Sequence, residues 1–82
     1  MTKDEVFVVL KKFILEQLDD EVTESDITPE KSMVDIGANS LDIVEIVSNT
    51  MRELNSKVPR DELAKAGTMG ELSVKIAEYA EK

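Results

Sequence analysis

Apolar residues in this chain recur every three or four positions in three separate stretches, and nowhere alternate in the period-two manner of a strand. That pattern restricts an 82-residue chain to packed helices, because each apolar stripe must be buried against another. The first stretch predicts a helix from Thr2 to about Leu18, with Val6, Phe7, Leu10, Phe13, Ile14 and Leu18 inward and Lys11, Lys12 and Glu16 elsewhere on the wheel. Thr2 and Glu5 have the spacing of a capping box. The second predicts a helix from Asn39 or Ser40 to about Leu54. A core stripe can be drawn through Ile43, Ile46, Val47 and Leu54, which leaves Leu41, Val44 and Met51 partly on a second face among Asp42, Glu45 and Arg52. Asn55-Ser56 and Pro59 end it. Pro59 to Ala66 predicts a short helix with Gly67 as its left-handed cap. Thr68-Met69-Gly70-Glu71 is another capping box, opening a last helix with Leu72, Ile76 and Tyr79 on its core face.

Between the first two helices, residues 19–39 carry no sustained period. Asp19-Asp20-Glu21 breaks the first stripe, Thr23, Ser25, Asp26, Thr28 and Pro29 are turn formers, and Gly37 punctuates the end. A connection of that length inside a small domain implies function or anchoring. Ile27, Met33, Val34 and Ile36 are the residues expected to pin it to the core. The fold class is all-α: a four-helix bundle of three longer helices and a short third one, with a long first loop. Residues 1–82 are read as a single domain.

Composition removes whole classes of chemistry. The chain has no cysteine and no histidine, so disulfides, thiolate catalysis, zinc thiolate sites and a Ser-His-Asp triad are all excluded. No run approaches the length of a membrane span, and the N-terminus lacks the basic and apolar regions of a signal peptide. The expectation is a monomer in the cytoplasm with no membrane role. The formal net charge is −8. Between Glu16 and Glu45 there are ten acidic side chains and one basic one, Lys31. Such a field repels nucleic acid and attracts basic protein surfaces.

The segment Asp35-Ile36-Gly37-Ala38-Asn39-Ser40-Leu41-Asp42-Ile43-Val44-Glu45 lies inside that acidic region. A serine at a helix start is most often a cap, with Asn39 the alternative cap and Gly37 the turn. As a nucleophile, Ser40 needs an adjacent base, and the chain offers no recognisable one. No residue is therefore assigned a catalytic role, and no metal ligand set is identified. If Ser40 reacts, another protein must supply both the base and the electrophile.

This segment closely resembles the prosthetic-group attachment site of acyl carrier proteins, whose usual form is Leu-Gly-Ala-Asp-Ser-Leu-Asp followed by an apolar residue, Val and Glu. The resemblance covers nearly the whole chain, because length, acidity, the long first loop and helix order also match. Val58-Pro59 and Thr68-Met69-Gly70-Glu71-Leu72 fit the family's third and fourth helix starts. It implies that a phosphopantetheinyl transferase moves 4'-phosphopantetheine from coenzyme A to the Ser40 hydroxyl, where the arm's thiol then carries acyl groups as thioesters. It also implies partners among acyltransferases, ketosynthases and other acyl-processing enzymes. Leu41, Asp42, Val44 and Glu45 are expected to meet those partners. A helix N-terminus suits the attached phosphate.

Two departures bear on the pathway. Asn39 stands where the family most often has aspartate, and Met51 and Arg52 stand where fatty-acid carriers tend to be acidic. Together they lean toward a carrier for polyketide or related specialised biosynthesis. Peptidyl carriers commonly have Gly-Gly-His-Ser-Leu at this site, which Gly37-Ala38-Asn39 does not match. Carriers for D-alanine are left open. The competing reading from another class is an unmodified helical adaptor that binds basic partners through its acidic face. A third, a calcium-binding loop among the acids of residues 19–35, lacks the ligand spacing of such loops.

Overall fold

A computed structural model describes residues 1–80. Its helices are α1 (Lys3–Leu18), α2 (Ser40–Glu53), α3 (Arg60–Ala64) and α4 (Met69–Tyr79), and short 3₁₀ turns at Asp19–Glu21, Glu24–Asp26 and Val34–Ile36 punctuate the long loop. No helix among the described residues is long and apolar enough to cross a membrane. The four-helix, all-α architecture expected from the periodicity is the one observed.

The spacing of α1 explains its place at the centre. Val6, Leu10, Ile14 and Leu18 are buried in one i, i+4 row, and α1 packs along both α2 and α4. Phe7 and Phe13 flank that row and are half-buried. The Thr2–Glu5 capping box forms as expected: the Glu5 N–H donates to Thr2 Oγ1 at 3.2 Å, and the Thr2 N–H donates to Glu5 Oε1 at 2.9 Å.

The long loop is packed, in keeping with Ile27, Met33 and Ile36 as anchors; Val22 and Ala38 join them in the core. Val34 does not. It is 69% exposed, because the turn at Val34–Ile36 directs Met33 and Ile36 inward and leaves Val34 between them on the outside. Two backbone bonds fasten the loop to the start of α4: Met69 N–H to the Lys31 carbonyl at 2.9 Å, and Gly70 N–H to the Pro29 carbonyl at 3.0 Å. The approach is so close that a Cβ on residue 70 would stand 3.0 Å from the Pro29 carbonyl oxygen. A side chain there would need Pro29 to give by a few tenths of an ångström, so glycine suits the position for space rather than for a special φ.

α2 stops in a Schellman arrangement. Asn55 takes φ 54°, the Ser56 N–H reaches the Met51 carbonyl at 2.8 Å, and the Asn55 N–H reaches that of Arg52 at 3.3 Å. The amide side chain of asparagine tolerates this left-handed geometry, so the helix ends well before Pro59 acts. α3 is shorter than its periodicity suggests, and Gly67 is not its left-handed cap. Lys65 ends the helix in right-handed geometry, while the Gly67 N–H donates to Glu71 Oε1 at 2.7 Å. Gly67 thus belongs to the entry of α4. Tyr79, expected in the core, is 41% exposed. The chain turns away after it, where Ala80 bridges to Ser56.

Hydroxyls missing from the expected core are fully buried within it. Thr50 Oγ1 donates to the Ile46 carbonyl at 2.8 Å and Ser73 Oγ to the Met69 carbonyl at 2.9 Å, while Ser56 Oγ reaches the Ile76 carbonyl at 2.8 Å. Each donor finds an acceptor within the backbone, so among the described residues burial leaves no side-chain nitrogen or oxygen unpaired.

Candidate functional site

The last turn of the long loop sets the position of Ser40. Gly37 adopts φ 93°, where its N–H bonds to the Val34 carbonyl at 3.0 Å and the Ala38 N–H reaches back to the Met33 carbonyl at 3.0 Å. A residue with a side chain is strained at that φ, which explains the glycine. Buried Ala38 anchors the turn, and Asn39 then leaves in extended geometry as the N-cap of α2.

The cap is Asn39, and Ser40 is the first helical residue. Asn39 Oδ1 accepts from the Asp42 N–H at 2.9 Å, and Asp42 Oδ2 accepts from the Asn39 N–H at 3.2 Å. This reciprocal box occupies the carboxylate of Asp42, whose other oxygen accepts from Gln17 Nε2 on α1 at 3.1 Å. Asp42 therefore holds the start of α2 against the end of α1 and is half-buried. Its pairing with Gln17, twenty-five residues upstream, carries no local signal in the sequence.

With Asn39 capping, the Ser40 hydroxyl is left over. Ser40 is exposed, and among the described residues its side chain makes no hydrogen bond. The Ser40 and Leu41 N–H groups likewise have no acceptor there, as the first-turn amides of a helix do not. A phosphate ester on Ser40 would thus sit beside free donors at the positive end of the α2 dipole. The attached group fits this place without displacing any existing bond.

Around Ser40 the surface is apolar and acidic at once. Leu41 is 78% exposed and Val44 61% exposed, with Glu45 exposed beside them. Val34 stands out from the adjoining loop. The two-faced reading of α2 holds at this end: Ile46 and Val47 are buried, Leu41 and Val44 are not, and Ile43 and Leu54 lie half-buried at the margins.

Those margins open onto a cleft the sequence did not reveal. It has a volume of about 740 Å³ and lies between α2, α3, the Met33 turn and the start of α4. Ile43, Val47, Met51, Leu63 and Leu72 form its apolar wall, with Ser48 and Thr68 contributing hydroxyls. One wall is the helix that begins at Ser40. The other is α3, tied to α4 by Glu62, which takes Lys75 Nζ at 2.8 Å and Lys65 Nζ at 3.0 Å. The hydrogen bonds from Lys75 and then Lys65 hold the Glu62 carboxyl below its ordinary range, and the same contact raises Lys75. A cleft formed by residues from four separate segments leaves no trace in the periodicity of any one of them.

These features define a class: a small helical bundle with an exposed, unbonded serine hydroxyl in the first turn of α2 and an apolar cleft beside that helix. Comparison with known proteins agrees. The phosphopantetheine attachment site family matches residues 9–74. The acyl carrier protein of Clostridium perfringens is 36% identical over 78 residues, covering 94% of this chain and all of the relative. That of Thermotoga maritima is 37% identical, covering 99% of this chain and 94% of the relative. The polyketide biosynthesis acyl carrier protein AcpK of Bacillus subtilis is 37% identical over 73 residues, 89% of this chain and 88% of its own. The chain belongs to the acyl carrier protein family, and it is a carrier that works through a covalently attached 4'-phosphopantetheine.

Proposed function

We propose that Ser40 is the attachment residue, and that this chain is a single carrier domain which catalyses nothing itself and is acted on by a phosphopantetheinyl transferase and acyl-processing enzymes. The observation that carries the reading is the exposed, unpartnered Ser40 hydroxyl in the first turn of α2, with its capping duty taken by Asn39. In the transfer, Ser40 Oγ forms the new bond to the phosphorus of coenzyme A that bears the pantetheine. Adenosine 3',5'-bisphosphate leaves, and the serine proton passes to a base on the transferase. When bound, the group supplies a terminal thiol that holds acyl groups as thioesters. The chain's own residues orient the ester through the N–H groups of Ser40 and Leu41 and shelter apolar cargo between Ile43, Val47 and Leu63.

Leu41, Val44 and Glu45 form the partner contact in this reading, with Asp42 contributing charge while it holds the helix start. An apolar pair rimmed by acids suits a basic surface with an apolar centre. Coenzyme A as donor supports a cytoplasmic location. The departures at Asn39, Met51 and Arg52, together with the likeness to AcpK, support a polyketide-type pathway.

The test is intact mass and peptide mapping after incubation with coenzyme A and a phosphopantetheinyl transferase. The expected result is one adduct, on the peptide containing Ser40, absent from Ser40→Ala with helicity unchanged. No adduct in a folded chain would return the unmodified acidic adaptor, and an adduct on another serine would move the site.

A further inference from the structure

Among the described residues, Arg60 is the one charged residue lining the cleft. Acids outnumber bases 18 to 10 in this chain, and Arg60, like most of its bases, is in no ion pair among the described residues. Glu62, the nearest acid on the same helix to form ion pairs, is already committed to Lys65 and Lys75. Asp61 is exposed and forms none of the salt bridges found. The guanidinium therefore stands free at the edge of an apolar cleft whose other polar groups include the hydroxyls of Ser48 and Thr68. The arginine stem can cover apolar surface while its charged head stays at the edge, where it is placed to meet an anion. A planar guanidinium is the side chain best shaped to take a carboxylate in two parallel hydrogen bonds.

We propose that Arg60 selects acyl groups that end in a carboxylate, dicarboxylic half-thioesters, by pairing with that carboxylate while the methylenes lie along Ile43, Val47 and Leu63. The inference rests on attachment of the arm at Ser40, the residue from which the α2 wall of the cleft begins. Because Arg60 is exposed, the pairing is weak and salt-sensitive, and the discrimination it produces is about two- to fivefold.

The experiment loads the chain with the adipoyl and, separately, the hexanoyl form of the arm, two groups of equal carbon count. Mass spectrometry locates each adduct. The readouts are the NMR shifts of Arg60 Nε–H and of the Val47 and Leu63 methyls, and the rate of thioester hydrolysis, at low and high salt. Expected for the adipoyl form are a shift of Arg60 Nε–H that salt reverses and hydrolysis slowed relative to Arg60→Gln by about two- to fivefold. Arg60→Lys, which keeps the charge and loses the fork, should fall between. The hexanoyl form should shift the methyls equally in all three proteins and leave Arg60 Nε–H unmoved. A chain loaded on Ser40 in which Arg60 Nε–H responds alike to both groups, or in which Arg60→Gln changes neither, overturns the selectivity alone. So does an Arg60→Gln variant whose only defect is slower loading by the transferase, which makes Arg60 a partner contact. A chain with no arm on Ser40 overturns the attachment reading and this inference with it.

Discussion

Truncating Leu41 and Ile46 to alanine in parallel separates the two faces of α2. Ile46 is fully buried against α1, whereas Leu41 is 78% exposed. Removing a buried Ile or Leu side chain costs about 2–5 kcal/mol, because transfer and cavity terms add. A chain of 82 residues has a total stability of roughly 4–12 kcal/mol at the usual value per residue. Ile46→Ala is thus expected to remove about a sixth of it or more. With a Tm change of about 4–8 °C per kcal/mol for a domain this size, the drop is at least about 8 °C. Leu41 has already left most of its surface in water, so Leu41→Ala should stay within about 0.5 kcal/mol, or about 4 °C at most. Its effect should appear instead in the rate at which the transferase modifies Ser40, measured well below the transition. Thermal unfolding by circular dichroism and single-turnover loading give the two numbers for each variant. If Leu41→Ala melts as early as Ile46→Ala while loading at the wild-type rate, Leu41 is a structural residue and the partner face is misplaced.

Asn39→Ala removes the acceptor of the Asp42 N–H and should cost about 1 kcal/mol, while Asn39→Asp keeps the box and should melt within about 4 °C of wild type. A larger fall in Asn39→Asp would show that the amide itself is required. Replacing both Asp42 and Glu45 with lysine should slow loading most at low salt; equal rates there would remove their steering role. The Glu62–Lys75 tie sets a pH window for α3. The folded carboxyl titrates below its ordinary value of 4.5, so its contribution is complete above that value and is lost as pH falls through the depressed one. Lys75 titrates above its ordinary 10.5, so the same tie is complete below that value and lost as pH rises through the raised one. Protection of the α3 amides, relative to their intrinsic exchange rates, should fall at acid pH while α1 stays protected, and Glu62→Gln should show the lower protection already at neutral pH.

The residues that lay legible in the sequence are those governed by near neighbours. The i, i+4 row of Val6, Leu10, Ile14 and Leu18, the capping boxes at Thr2 and Thr68, and the turn at Gly37 each depend on positions within four residues, which is the range a helical period reports. The motif around Ser40 is equally local, and so the family resemblance could be drawn from it. Tertiary structure decided the rest, because burial depends on what the other segments leave uncovered. Val34 and Tyr79 are as apolar as their neighbours and are nonetheless exposed, while Thr50 and Ser73 are polar and fully buried because an i−4 carbonyl accepts from each. Gly67 has the position of a helix cap and serves the next helix instead, since Glu71 is within reach of its N–H. Asn39 rather than Ser40 caps α2 because the Asp42 carboxylate closes the box and Gln17 holds it from α1, and this leaves the serine hydroxyl free. The cleft and the placement of Arg60 at its edge arise only when α2, α3, α4 and the long loop meet, and no single stretch of chain contains the distances that create them.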